Sequence, residues 1–161
     1  MKIDKTTMAA LTTLALSAST VLAQDKYSSG AITWDTTTNN VWATSSGGTY
    51  DQPFVSGDNA IFEGTPGIVT LGEAITANNI SFTTASSNYS INPGGFSLTC
   101  NGTITMAAKN QKHTITTPIA GSPDVRVING GGYEGLTFAP SSGSVALGTC
   151  TVPYDDPVGD R

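Results

Sequence analysis

The feature that most constrains this chain is a two-residue rhythm that breaks off and restarts. Val69 and Leu71 flank Thr70, Ile80 and Phe82 flank Ser81, and Tyr89 and Ile91 flank Ser90. Phe96, Leu98 and Cys100 alternate with Ser97 and Thr99, and Ile104 and Met106 flank Thr105. The rhythm returns at Ile115-Thr117-Ile119, Val125-Val127, Leu136-Phe138, Val145-Leu147 and Cys150-Val152. Period-two alternation sends one set of side chains to an inner face and the Thr/Ser set to an outer one. Between the runs stand Gly72, Asn78-Asn79, Asn92-Pro93-Gly94-Gly95, Asn101-Gly102, Gly121-Ser122-Pro123, Gly130-Gly131-Gly132, Pro140 and Gly143. Glycine, proline and asparagine at such points are turn formers. No comparable window repeats with the 3.6-residue period of a helix.

Short strands at even spacing fit two all-β architectures. One is a short right-handed parallel β-helix, in which three strands make a coil and coils stack. The other is an antiparallel β-sandwich. In the solenoid reading, residues 69–91, 96–119 and 125–152 are the coils, sharing a core of Val, Ile, Leu and Phe. An open coil end leaves unpaired backbone and needs a cap. Residues 30–64 hold Trp34, Trp42, Tyr50, Phe54 and Phe62, large enough to close the first coil with an irregular hairpin. Asp35–Asn40 and Ser45–Gly48 read as turns in that segment. The expected organisation is a signal peptide over 1–23, a cap region over 24–66, a repeat region over 67–152 and a disordered tail over 153–161.

The first segment reads as an export signal. Lys2 and Lys5 precede a weakly apolar run from Met8 to Ala23, ending Val21-Leu22-Ala23 before Gln24. A basic start, a short apolar stretch and a small-residue cleavage site have that meaning. The run is too short and too rich in Thr to span a bilayer. Composition agrees with an exported β protein. Only 12% of the 161 residues are charged and the net charge is −5, against about 25% charged residues in ordinary soluble domains. The scattered Lys and Arg supply no basic face for nucleic acid.

Candidate sites are few. Cys100 and Cys150 are candidates for a disulfide, which an exported protein can form. Such a bridge is worth roughly 4 kcal/mol in the chain-entropy picture. The alternative is two separate buried thiols. One His and two distant Cys make no zinc site, and no cofactor is expected. His113, in Lys109-Asn110-Gln111-Lys112-His113, reads as a surface loop rather than a general base, because no orienting partner is named. Asp155-Asp156 reads as solvated tail rather than a carboxylate pair. Gly130-Gly131-Gly132 lacks the Lys-Ser/Thr of a phosphate loop. Asp58 reads as an Asx-type turn residue, with calcium the lesser alternative. Asn79, Asn88 and Asn101 begin glycosylation sequons, read simply as Asn beside strands.

The order of elements resembles the passenger segments of autotransporter-associated β-strand repeat proteins, exported proteins of bacterial surfaces. Trp34 and Trp42 are followed by Gly57-Asp58-Asn59-Ala60-Ile61-Phe62, then Gly67-Ile68-Val69-Thr70-Leu71-Gly72. After Ala74–Phe82 comes Tyr89-Ser90-Ile91-Asn92-Pro93-Gly94, then Phe96-Ser97-Leu98-Thr99 and Gly102-Thr103-Ile104-Thr105. The likeness spans roughly residues 31–128; the later repeat of that family is degraded here to Gly130–Phe138. No translocator barrel pattern follows, since a barrel needs at least eight membrane strands. The resemblance implies a non-catalytic surface or secreted module for adhesion or extracellular scaffolding, with matrix or surface glycans as partners. The alternative is a carbohydrate-binding or polysaccharide-lyase-like β-helix. That chemistry needs acids and bases converging on one sheet, and Lys109, Lys112 and Arg126 are the interior cations available for it.

Overall fold

A computed structural model describes residues 22–83, 88–107, 111–128 and 135–152. Among them every element is a β-strand, and every pairing between strands is parallel. Three sheets make up the stack. The first has six strands in the order β1 (Asp25–Ser28), β3 (Asn59–Phe62), β6 (Ile80–Phe82), β9 (Thr103–Met106), β12 (Asp124–Val127) and β14 (Cys150–Thr151). The second has five: β2 (Ile32–Trp34), β4 (Ile68–Leu71), β7 (Ser90–Asn92), β10 (Lys112–Ile115) and β13 (Gly135–Phe138). The third has three: β5 (Ile75–Ala77), β8 (Leu98–Cys100) and β11 (Ile119–Ala120), with Val145 bridging on to Ile119. From β3 onward the chain visits first, second and third sheet in turn and then starts the next coil. This is the β-solenoid of the sequence reading; the sandwich alternative is excluded by the parallel register.

In-register stacking explains why the apolar runs alternate. Inward side chains form columns that continue from coil to coil. Ala60, Ile80, Ile104 and Val125 line one. Val69, Ile91 and Ile115 form a second, and Ile75, Leu98 and Ile119 a third. All of these are buried. Each such side chain contributes roughly 1.5–3 kcal/mol when removed from water. Strands this short bury enough only because each column is shared by several coils.

The stack begins earlier than the expected boundary at residue 67. β1, β2 and β3 lie within 24–66 and already pair as rungs. The lid is the segment 35–58 between β2 and β3. It runs antiparallel at two isolated bridges, Tyr27 with Ala43 and Trp42 with Gln52, and so covers the outer edge of β1. Trp34, Trp42, Phe54 and Phe62 are all 0% exposed. Trp34 meets Phe54 edge-on at 5.0 Å between centroids, and Trp42 tilts against Phe54 at 4.9 Å. Edge-to-face and tilted pairs are the favourable aromatic geometry. Two carboxylates tie the lid down. Glu63 accepts hydrogen bonds from Ser46 Oγ and the Gly47 N–H, and Glu73 from the Thr36 N–H and hydroxyl. Asp35 caps the turn 36–39, accepting the N–H groups of Thr37, Thr38 and Asn39 and the Asn39 amide. Burial alone would raise its pKa, but these bonds outweigh it and hold the carboxyl below its ordinary value.

Candidate functional site

The outer face of the six-stranded sheet is where polar side chains come together. Residues opposite each other in register form one row: Tyr27, Ile61, Ser81, Thr105, Arg126 and Thr151. Adjacent strands lie about 4.8 Å apart, so this row is a regular line of mostly hydroxyl-bearing side chains. Beside it runs a second line through Asp25, Asn59, Asn79 and Thr103. Asn59 donates from Nδ2 to Asp25 Oδ1 at 2.8 Å. Its own Oδ1 accepts from Asn78 Nδ2, the Asn79 N–H and Asn79 Nδ2 at 2.9, 3.2 and 3.0 Å. Asn79 Oδ1 in turn accepts the Thr103 N–H at 2.8 Å. The amides thus form a ladder that satisfies backbone donors at the corner of successive coils. Between the two lines lies a shallow depression of ≈ 310 Å³, lined by Asp25, Asn59, Asn79, Ser81, Thr105 and Arg126.

Arg126 is exposed on this face, as its place between inward Val125 and Val127 requires. Its register neighbours are Thr105 and Thr151, not acids. Asp124 lies two residues back on the same strand and accepts the Thr149 N–H at 2.7 Å. Asp25 is four strands away, about 19 Å at the usual interstrand spacing. The face therefore does not set Arg126 between two carboxylates, the arrangement a lyase-like site requires. Lys112 is exposed on a different sheet. Lys109 lies outside the described residues, as do Gly130–Gly132 and Asp155-Asp156. The expected signal peptide lies outside the described residues except at Leu22 and Ala23.

Four sequence-predicted residues are placed differently from expectation. His113 is not in a surface loop: it sits on β10, 0% exposed. Its phase follows Ile115, two residues on, and both point inward. Nδ1 accepts the Tyr89 N–H at 3.1 Å, while Nε2 is buried without a partner. Burial pushes its pKa down to about 4. Asp58 closes a turn through its N–H, which donates to the Val55 carbonyl. Its carboxylate reaches back to the first coil and accepts the Gln24 N–H at 3.0 Å. Cys100 and Cys150 are both free thiols. They lie on different sheets, Cys100 buried on β8 and Cys150 exposed on β14, so no bridge joins them in this structure. Cys100 donates to the Asn78 carbonyl, and burial pushes its thiol up to about 11.

Alternation put Ser81 and Thr105 on an outer face, but the sequence reading did not single out Asp25 or Asn59 as surface components. What joins all four is one face of one sheet, which is legible only once the strands are stacked in register. It also passed over Lys26, whose stem turns inward at the lidded end and leaves the residue 5% exposed. Of the sequons, Asn79 is engaged in the amide ladder, and Asn88 Oδ1 accepts the Lys112 N–H at 2.7 Å. Among the described residues no three His, Cys, Asp or Glu side chains converge to hold a metal ion, and no helix is long and apolar enough to cross a membrane. Compared with protein-family models, curated proteins and solved structures, the chain matches none.

Proposed function

We propose that this chain is an exported, non-catalytic module of a bacterial surface or its surroundings. It acts in adhesion or extracellular scaffolding, as the likeness to passenger segments implies. The observation that carries the reading is the continuous outward row Tyr27, Ile61, Ser81, Thr105, Arg126 and Thr151, edged by the amide ladder. Such a row presents many neutral hydrogen-bonding groups at fixed spacing on a rigid support. Surfaces of this kind bind through many weak contacts repeated over a broad area. The basic start and short apolar run before Gln24 support export.

Expression of the full chain in a Gram-negative host, followed by fractionation, tests the reading. The mature protein is expected in the medium or at the cell surface, processed before Gln24. Unprocessed precursor in the cytoplasm contradicts export, and retention in the periplasm alone contradicts display. Binding of cells or beads carrying the protein to matrix-coated and glycan-coated surfaces tests the role. Arg126→Glu and Thr105→Lys, both at exposed or half-exposed positions, are expected to weaken adhesion while changing stability by no more than about 0.5 kcal/mol.

A further inference from the structure

The corner between the second and third sheets carries a second surface of different character. Turns there alternate in length along the stack: 72–74 and 116–118 are short, whereas 93–97 and 139–144 are long. The long turns stand out on either side of Pro118 and enclose an open cleft of ≈ 530 Å³. Its apolar surfaces are the ring of Phe96, 41% exposed, with Pro93 and Pro118. Its polar groups are the hydroxyls of Ser97, Ser141 and Ser142. No side chain lining it is titratable.

The walls are held in place. The Phe96 N–H donates to the Pro93 carbonyl at 2.7 Å, and the Phe96 carbonyl accepts from the hydroxyl of Thr117, which is 0% exposed. Opposite, Gly143 lies at φ +80° and packs so closely on Pro118 that a Cβ would come within 2.9 Å of the ring. A large aromatic left partly exposed on such a fixed turn is a preformed flat contact surface.

From this geometry we infer a binding site for a neutral saccharide. A pyranose has an apolar C–H face bordered by hydroxyl groups. The face matches the Phe96 ring and the two prolines, and the border matches the serine hydroxyls. A uronate or phosphate finds no countercharge in the lining, and the chain as a whole carries a net charge of −5, which repels anions. The site lies away from the six-stranded face and goes beyond the display reading. It is tested on purified protein, so its failure leaves the localisation and adhesion results untouched.

The test is an amide-resolved NMR titration of the folded protein with cellotriose, maltotriose and laminaritriose, and with trigalacturonate in parallel. At least one neutral trisaccharide is expected to give saturable shifts centred on Gly95, Phe96, Ser97, Ser141 and Ser142, with a millimolar Kd typical of a shallow site. Phe96→Ala is expected to weaken binding about tenfold. Phe96→Leu keeps apolar bulk while removing the flat face and is expected to weaken it similarly, whereas Phe96→Trp retains or tightens it. Unchanged amide shifts at Ile80 and Ile104 certify that each variant is folded. The proposal is overturned by no saturable shift with any neutral sugar to about 20 mM, by shifts centred on Ser81 and Thr105, by tighter binding of trigalacturonate, or by undiminished binding in Phe96→Leu.

Discussion

The imidazole of His113 lies face to face with the Phe82 ring, with centroids 4.4 Å apart and planes within 14° of each other. Phe82 stacks in turn on Phe62 at 5.5 Å, so a histidine ends an aromatic column that starts beneath the lid. Because Nδ1 accepts the Tyr89 N–H, the neutral ring carries its proton on Nε2. That nitrogen and Gln111 Oε1 are both buried without partners, and they belong to buried residues two positions apart, Gln111 just before β10 and His113 on it. A second proton on this ring would displace the Tyr89 contact and place a charge in the core.

Acid should therefore loosen the fold in a defined window. The folded pKa of His113 is about 4, below the ordinary 6.5, so between these values the unfolded state binds the extra proton. Stability is fully present above pH 6.5, falls as the pH drops towards 4, and levels off below. The total loss is about 3 kcal/mol from this residue. Asp35, whose carboxyl is held below 3.8, adds a separate loss at lower pH, because its bonds are broken when it protonates. Denaturant midpoints at pH 7, 5.5 and 4.5 check this. His113→Phe should remove the decline between 6.5 and 4 while leaving that of Asp35.

The amide ladder gives a prediction at the corner of the first sheet. Asn79→Ala removes the acceptor of the Thr103 N–H and a donor to Asn59. It should cost about 1–3 kcal/mol, the usual range for stranding a polar partner. Ser81→Ala, two residues on but outward, should cost no more than about 0.5 kcal/mol. Thermal or urea unfolding of the two variants decides it; equal effects would mean the ladder bears no load.

Gly94 and Gly95 both adopt positive φ, at 54° and 97°, yet they should respond differently to alanine. A Cβ at Gly94 would run into the carbonyl oxygen of Leu71 on the coil below, whereas one at Gly95 meets nothing within 4 Å. Gly95→Ala should cost only the left-handed backbone term, roughly 1–2 kcal/mol. Gly94→Ala must also displace the coil beneath and should cost distinctly more. Comparing their unfolding midpoints measures how closely this turn sits on its neighbour.

The thiols should react in two classes. Cys150, exposed on the last strand of its sheet, should be modified by a disulfide reagent at pH 8 in native protein. Cys100, buried with its pKa at about 11, should react only after denaturant is added, since the thiolate is the nucleophile. Quantifying labelled thiols before and after unfolding gives the answer.

Much of this was legible in the sequence because the outward and inward phases of a strand are written in alternate residues. Val69, Phe82, Leu98 and Ile104 are all inward and buried, as the rhythm required. His113 was hidden by its polar neighbours: Lys112 beside it is exposed, and only the phase set by Ile115 reveals that it points inward. Asn78-Asn79 reads as a chain breaker, yet its amides bind the coils together, a role visible only when Asn59 is brought alongside. β1 and β2 escaped notice because the lid 35–58 separates them from the later rungs they match. The cleft at Phe96 depends on unequal turns meeting two coils apart, which no local pattern encodes.

All surfaces described depend on coils stacked in parallel register, and methyl-to-methyl NOEs measure that register directly. In protein labelled at the isoleucine δ-methyl groups, cross-peaks are expected between Ile80 and Ile104 and between Ile91 and Ile115, partners on adjacent coils. Absence of both pairs, with the first methyl of either pair instead contacting residues of an antiparallel neighbour, would contradict the stack and every face built on it.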